Sequence, residues 1–209
     1  MPAGPHLLLA VSGHGYGHLA QVAPVVNRLR EWRPGLRLTV MSELPRRVLD
    51  ARLDGEFSHI ASGVDAVMRM HSAWEVDVPA SCRAWREFHR DWAPGLRREV
   101  ERLRELAPQL LLADIPYRLL LAARQAGIPA VGLSSLNWAD IHAAYCGGQP
   151  GHAAVQAQMR AGYAAAVRFL APAPALPMPG MDNVFPIGPI ARAGLIRRDE
   201  ILAFLKRSD

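Results

Sequence analysis

Between the first apolar run of the chain and its first helical pattern lies Ser12-Gly13-His14-Gly15-Tyr16-Gly17-His18. Glycines let a backbone turn tightly and approach a ligand closely. A helix N-terminus adds free N–H groups and the positive end of its dipole, which suit an anion or a polar sugar. The same dipole lowers the pKa of a nearby imidazole and keeps it neutral, able to take a proton. Two histidines flanking a glycine turn at such a place suit general-base chemistry on a hydroxyl group. Either His14 or His18 could be that base.

A second chemistry fits the glycines alone. Gly15-Tyr16-Gly17-His18-Leu19-Ala20 matches G-x-G-x-x-[GA], and Glu43 at the end of the second strand would be the ribose-binding acid. That reading makes the chain an NAD- or FAD-binding oxidoreductase domain. Against it, Ser12-Gly13-His14 separate the strand from the first fingerprint glycine, and a dinucleotide cradle has no need of two histidines. A loop that merely makes the turn is the third reading.

The elements around this loop are those of an α/β protein. Residues 6–11 form a short apolar strand ending at the glycines. Residues 19–32 form a helix with Leu19, Val22, Ala23, Val26 and Leu29 on one face, stopped by Pro34-Gly35. Strand 36–41, helix 45–53 and strand 57–60 complete a β-α-β-α-β run with short connections, which predicts a parallel sheet covered on both faces. Residues 61–79 lack periodicity and read as a long, functional loop. Residues 80–106 read as one helix that Pro94-Gly95 should kink or split. Strand 109–113, helix 115–126 capped by Gly127, strand 128–133, helix 137–145, helix 153–167 and a final strand 183–187 follow. Residues 197–207 carry a charged helical pattern with nothing left to pack against, and read as a linker.

The chain has 209 residues, half of them hydrophobic, which is enough for one well-buried core and too apolar for disorder. Net charge is +5, and Lys206 is the only lysine, so the positive charge is nearly all arginine. The arginines are scattered, as codon bias in a GC-rich genome would leave them; contact with phosphates or an anionic membrane surface is the second reading. No aromatic-interleaved basic stripe points to nucleic acid. Cys82 and Cys146 show no metal or redox spacing and read as two free thiols in a reducing cytoplasm. No stretch approaches a spanning helix or a signal peptide.

Gly13-His14-Gly15-Tyr16-Gly17-His18 resembles the loop of GT-B glycosyltransferases. It is similar to the Gly-Gly-Thr-Gly-Gly-His loop of the lipid-linked N-acetylglucosaminyltransferase of peptidoglycan synthesis. It is closer to the Gly-His-Gly-Phe-Gly-His of the glycosyltransferase-like domain of plant L-arabinokinase and its bacterial relatives. A second block runs from Ala113-Asp114-Ile115-Pro116 through Ala126-Gly127-Ile128-Pro129 to Ser135-Leu136-Asn137-Trp138, Ile141 and Tyr145. It resembles the Asp-x-x-Pro, Ala-Gly-Ile and Asn-Phe-Ser-Trp-Asp-Phe-Ile-Tyr run of the same domains, with Ala139 where their acid follows the tryptophan. Phe185-Pro186-Ile187-Gly188-Pro189 resembles the exit from the first GT-B domain.

The resemblance implies a Rossmann-like doubly wound parallel sheet, residues 1–190, forming the acceptor-side half of a GT-B fold. Residues 191–209 would lead to a C-terminal donor-binding domain or subunit absent from this chain. It implies a bacterial, cytoplasmic transferase, resting at most peripherally on the inner membrane. That enzyme moves a sugar from a nucleotide-sugar to a small-molecule or lipid-linked acceptor, with no metal and no further cofactor. His18 matches the loop histidine of inverting enzymes, and Asp114 the aspartate that orients it. Gly13, His14, Gly15, Tyr16, Gly17, Ser135, Asn137 and Trp138 would line the acceptor site, Trp138 as a platform for a sugar ring. A non-catalytic sugar-binding or regulatory module, and an epimerase of similar fold, remain open.

Overall fold

The computed structural model describes residues 4–63, 65–192, 194 and 197–205. Its elements, in chain order, are β1 (His6–Val11), α1 (Gly17–Trp32), β2 (Arg37–Met41), α2 (Arg46–Asp50), β3 (Ser58–Ile60), α3 (Val78–Arg90), α4 (Trp92–Leu106), β4 (Leu110–Asp114), α5 (Tyr117–Ala126), β5 (Ala130–Leu133), α6 (Trp138–Cys146), α7 (His152–Tyr163), β6 (Arg168–Pro172), β7 (Val184–Ile187) and α8 (Arg198–Leu205). The strands make one seven-stranded parallel sheet in the order β3-β2-β1-β4-β5-β6-β7. This is the doubly wound α/β arrangement, and β1 reads from the sequence to the residue.

Alternation along the strands builds the two faces. Leu7, Leu9 and Val11 of β1, with Leu38, Val40 and Leu112, pack against Leu19, Val22 and Val26 of α1 and Leu49 of α2. Leu8, Ala10, Leu111 and Ala113 face the other way, toward Trp85 of α3, Leu103 of α4, Leu120 of α5 and Tyr163 of α7. Asp114 follows Ala113 and so returns to the face of Leu112, which is the α1 face. Its register partner is Val11, the last residue of β1.

The stretch expected as one helix from residue 80 to 106 is two. The break falls at Asp91, not at the proline, because Pro94 then lies in the first turn of α4, where its missing N–H costs no hydrogen bond. Asp77 caps α3 by accepting a hydrogen bond from the Ala80 N–H at 2.9 Å, so the preceding loop ends at residue 77. The expected helix 153–167 stops at Tyr163. The two cysteines are not free thiols: the fold brings the middle of α3 to the end of α6, and Cys82 and Cys146 form a disulfide with Cα atoms 5.8 Å apart. Their separation of 64 residues carries no pairing signal that a sequence could show.

Helix α7 lies on α5 through Gly162, where an added Cβ would stand 2.4 Å from the Tyr117 carbonyl oxygen and 2.8 Å from its carbon. Backbone cannot yield as a side-chain tip can. Gly162→Ala is therefore expected to destabilise the fold by about 1–3 kcal/mol, read as a lower urea midpoint at an unchanged slope.

Candidate active site

In an open parallel sheet, adjacent strands whose following helices go to opposite faces leave a crevice at their C-terminal ends. Here β1 leads into α1 on one face and β4 into α5 on the other. The Ser12 N–H donates to the Asp114 carbonyl at 2.7 Å, closing the floor of that crevice. Gly15 takes a left-handed φ of +69°, which a side chain would strain, and turns the chain into α1. Tyr16 stands at the N-cap without a side-chain bond, so no side chain caps the helix there.

His18, in the first turn of α1, meets Asp114 across the crevice. Its Nδ1 lies 2.8 Å from Asp114 Oδ1, although 96 residues separate them in sequence. Asp114 is fully buried and His18 nearly so. His18 Nε2 forms no hydrogen bond among the described residues and is not sealed from solvent. A carboxylate on Nδ1 fixes the tautomer that leaves Nε2 as the proton acceptor.

The charges differ from what the helix dipole alone suggests. Burial works to lower the pKa of His18. The hydrogen bond and charge of Asp114, with the charge of Asp65, outweigh it and raise that pKa above the ordinary imidazole value. Asp114 is itself pushed up by burial, which the His18 and Ser134 hydrogen bonds only partly offset. Its Oδ2 and the Ser134 hydroxyl are close, yet neither completes a well-formed hydrogen bond. His14 behaves as expected: burial, then the charge of His18, hold its pKa down.

The other expected site residues divide. His14 sets its ring edge-on to Trp138, with centroids 5.3 Å apart, and 6.4 Å from His18. Trp138 is 1% exposed, so its face packs in the core, 6.2 Å from Trp85, and is no open platform for a sugar. Ser135 ties the β5–α6 connection to α1, exchanging hydrogen bonds with Gln21 at 3.0 and 3.2 Å. Asn137 caps α6: its carbonyl accepts from the Asp140 N–H and its amide donates to the Asp140 carboxylate. Tyr16 is exposed and lines a small surface pocket with Arg47 and Val48 of α2. Gly13 lets the Glu43 carboxylate approach, and a Cβ there would meet Glu43 Oε2 at 3.2 Å. Gly17 opens α1 with free space around it.

One residue of the site has no sequence signal beyond the length of its loop. Asp65, between β3 and α3, accepts a hydrogen bond from the Trp138 indole N–H at 2.8 Å. Burial pushes its carboxyl up to about 7, against the opposing pull of Trp138, His18 and Ser12. The crevice therefore holds two histidines and two carboxyl groups, and no arginine contributes to the pKa shifts of any of the four. A groove of about 830 Å³ lies elsewhere, between the outer side of α1 and residues 189–192, and is lined by none of these four residues.

No family model matches the sequence, and no curated protein matches it. Solved structures do. Phytolacca americana UGT2, solved with UDP-2-fluoro-glucose and pterostilbene, superposes with a TM-score of 0.60 at 14% identity, over 99% of this chain and 58% of that one. A UDP-glucosyltransferase from Polygonum tinctorium capable of glucosylating indoxyl gives 0.57 at 15%, over 99% and 57%. MurG of Acinetobacter baumannii gives 0.40 at 17%, over 64% and 35%, too distant to argue from. The chain thus spans a little over half the length of its leading structural neighbours, and shares with them the Rossmann-like α/β fold of GT-B glycosyltransferases.

Proposed function

We propose that this chain is the acceptor-side half of an inverting glycosyltransferase that uses a nucleotide-sugar. The observation that carries the reading is the His18–Asp114 pair: Nδ1 on a buried carboxylate at 2.8 Å, Nε2 unbonded, at the switch point of the sheet. The acceptor hydroxyl gives its proton to His18 Nε2 as its oxygen attacks the anomeric carbon. The bond from that carbon to the nucleoside diphosphate breaks on the opposite face, and the diphosphate leaves with the electron pair. Asp114 orients the ring and stabilises the imidazolium. The glycine turn gives the acceptor close access to the backbone, and His14 lines the approach.

The neighbour solved with a UDP-sugar analogue supports the donor class. The loop and the Asp114 block support the L-arabinokinase-like branch of the superfamily. The exposed helix α8, with Ile201, Leu202 and Leu205 turned outward, fits a linker to a donor-binding half; residues 193, 195, 196 and 206–209 of the expected 191–209 linker lie outside the described residues. The dinucleotide reading is the weaker one, because the histidine on the fingerprint is hydrogen-bonded to Asp114, a partner that a dinucleotide cradle does not need.

The test is acceptor-dependent release of UDP by the full-length protein from UDP-glucose and UDP-N-acetylglucosamine, with a panel of hydroxyl acceptors. Release with transfer of the sugar in inverted configuration is expected. Acceptor binding without release would make the chain a sugar-binding module, and binding of NAD or flavin instead would overturn the reading.

A further inference from the structure

The 61–77 loop is held by two tryptophans from two helices. Trp85 of α3 donates its indole N–H to the Ala66 carbonyl at 3.1 Å, and Trp138 of α6 donates to Asp65 Oδ2 at 2.8 Å. Two consecutive loop residues are thus fixed by two fully buried rings that pack on each other. The disulfide Cys82–Cys146 joins the same two helices. The loop turns Ala66 into the core, with Val67 and Met68 packed against it. It also turns in a carboxylate, which the Trp138 indole N–H holds on one side and the Ser12 hydroxyl approaches on the other.

What faces that carboxylate is defined on every side. His18 of α1 and Asp114 of β4 act on its charge, Ser12 lies within its reach, and Tyr117 of α5 and Tyr163 of α7 feel it from below. In return Asp65, after Asp114, is one of the charges that raise the pKa of His18, and His18 in turn acts on His14. Trp138 links them physically, with its ring 6.0 Å from that of His18.

We propose that Asp65 is a positioning residue for the base, a second carboxylate set against the His18–Asp114 pair by the Trp138 indole, which holds the imidazolium that forms when His18 takes the acceptor proton. The role rests on the reading of His18 as the base. It divides the work between two acids. Asp114 bonds the ring and sets its tautomer; Asp65 makes no hydrogen bond to the ring and acts through its field. The charges that act on His18 are those of Asp114 and Asp65, both negative.

The experiment follows the imidazole directly, in this chain, by ¹⁵N NMR titration of histidine-labelled protein. In the unmodified chain the His18 resonances should show a second inflection near pH 7, where Asp65 ionises. Asp65→Asn keeps an acceptor for Trp138 and removes the charge. It should abolish that inflection and lower the pKa of His18 by about 0.5 unit or more, and Asp65→Glu should restore much of both. Trp138→Phe removes only the N–H that orients the carboxylate and should give a smaller shift of the same sign. A His18 titration unchanged in Asp65→Asn overturns the proposal. That result is independent of turnover: if His18→Ala keeps normal activity in the full-length enzyme, the reading of the base fails while the coupling of Asp65 to His18 is still decided by the titration.

Discussion

On the proposed function, replacing His18 with alanine is expected to lower turnover about 10²–10⁴-fold. The imidazole is the one group in the crevice with an unbonded basic nitrogen held in a set tautomer. Proton transfer belongs to the transition state, so kcat and kcat/KM should fall together, with acceptor KM little changed. His14→Ala should cost less, because His14 has no carboxylate partner and its pKa is held down rather than up. The pH profile carries the same signature. A base must be deprotonated to act, and the pKa of His18 is raised, so activity should climb with pH through a value above the ordinary 6.5. Near-normal turnover in His18→Ala, measured as UDP release, would remove the base assignment.

Asp114→Asn is expected to separate function from stability. The amide nearly matches the carboxylate in shape but does not hold the ring in the required tautomer, and in a hydrolase triad the same change costs about 10⁴ in kcat. A loss of that order is expected here. The fold should not suffer in proportion. A folded-state carboxyl pKa raised by burial means that ionised Asp114 opposes folding at pH above its unfolded value near 3.8. The His18 side has the opposite sign. Its raised pKa contributes stability that is complete below pH 6.5 and is lost as pH rises through the folded value. At pH 8 the imidazolium attraction is weaker and the Nδ1–H bond to Asp114 stands against the cost of the buried carboxylate, so Asp114→Asn should lose less stability there than at lower pH. At pH 5.5, where the imidazolium and Asp114 attract, the variant should lose ground. Paired melting curves at the two pH values check the sign, and equal large losses at both would mark Asp114 as a structural group instead.

The sheet was legible because its signals are local. An apolar run closed by glycines defines β1, and a period of 3.6 defines α1. Asn137 with Asp140 three residues on is an N-cap pattern that the sequence displays, and reading it so would have withdrawn Asn137 from the ligand set. The break at Asp91 was legible only as a region, because Pro94 tolerates any place in the first turn. Asp65 was not legible: one acid in an aperiodic loop finds Trp138 across 73 positions. The disulfide was hidden for the same reason. The arginine-rich composition likewise gave no hint of which charges act on the crevice, since charge counts carry no positions.

The place of β1 in the sheet has a consequence for how the molecule is made. It is synthesised before both of its neighbours, yet it ends between β2 and β4, and Leu7 must wait for Leu110 before its second edge is filled. Until β4 is synthesised, a strand whose side chains are all buried in the finished fold exposes a row of unpaired amides and carbonyls. Parallel pairing over such a distance is slow, because loop closure precedes its reward. Chains truncated within α3 or α4 should therefore aggregate through β1 rather than fold, and the His18–Asp114 contact comes into being late, at the moment β4 closes over β1.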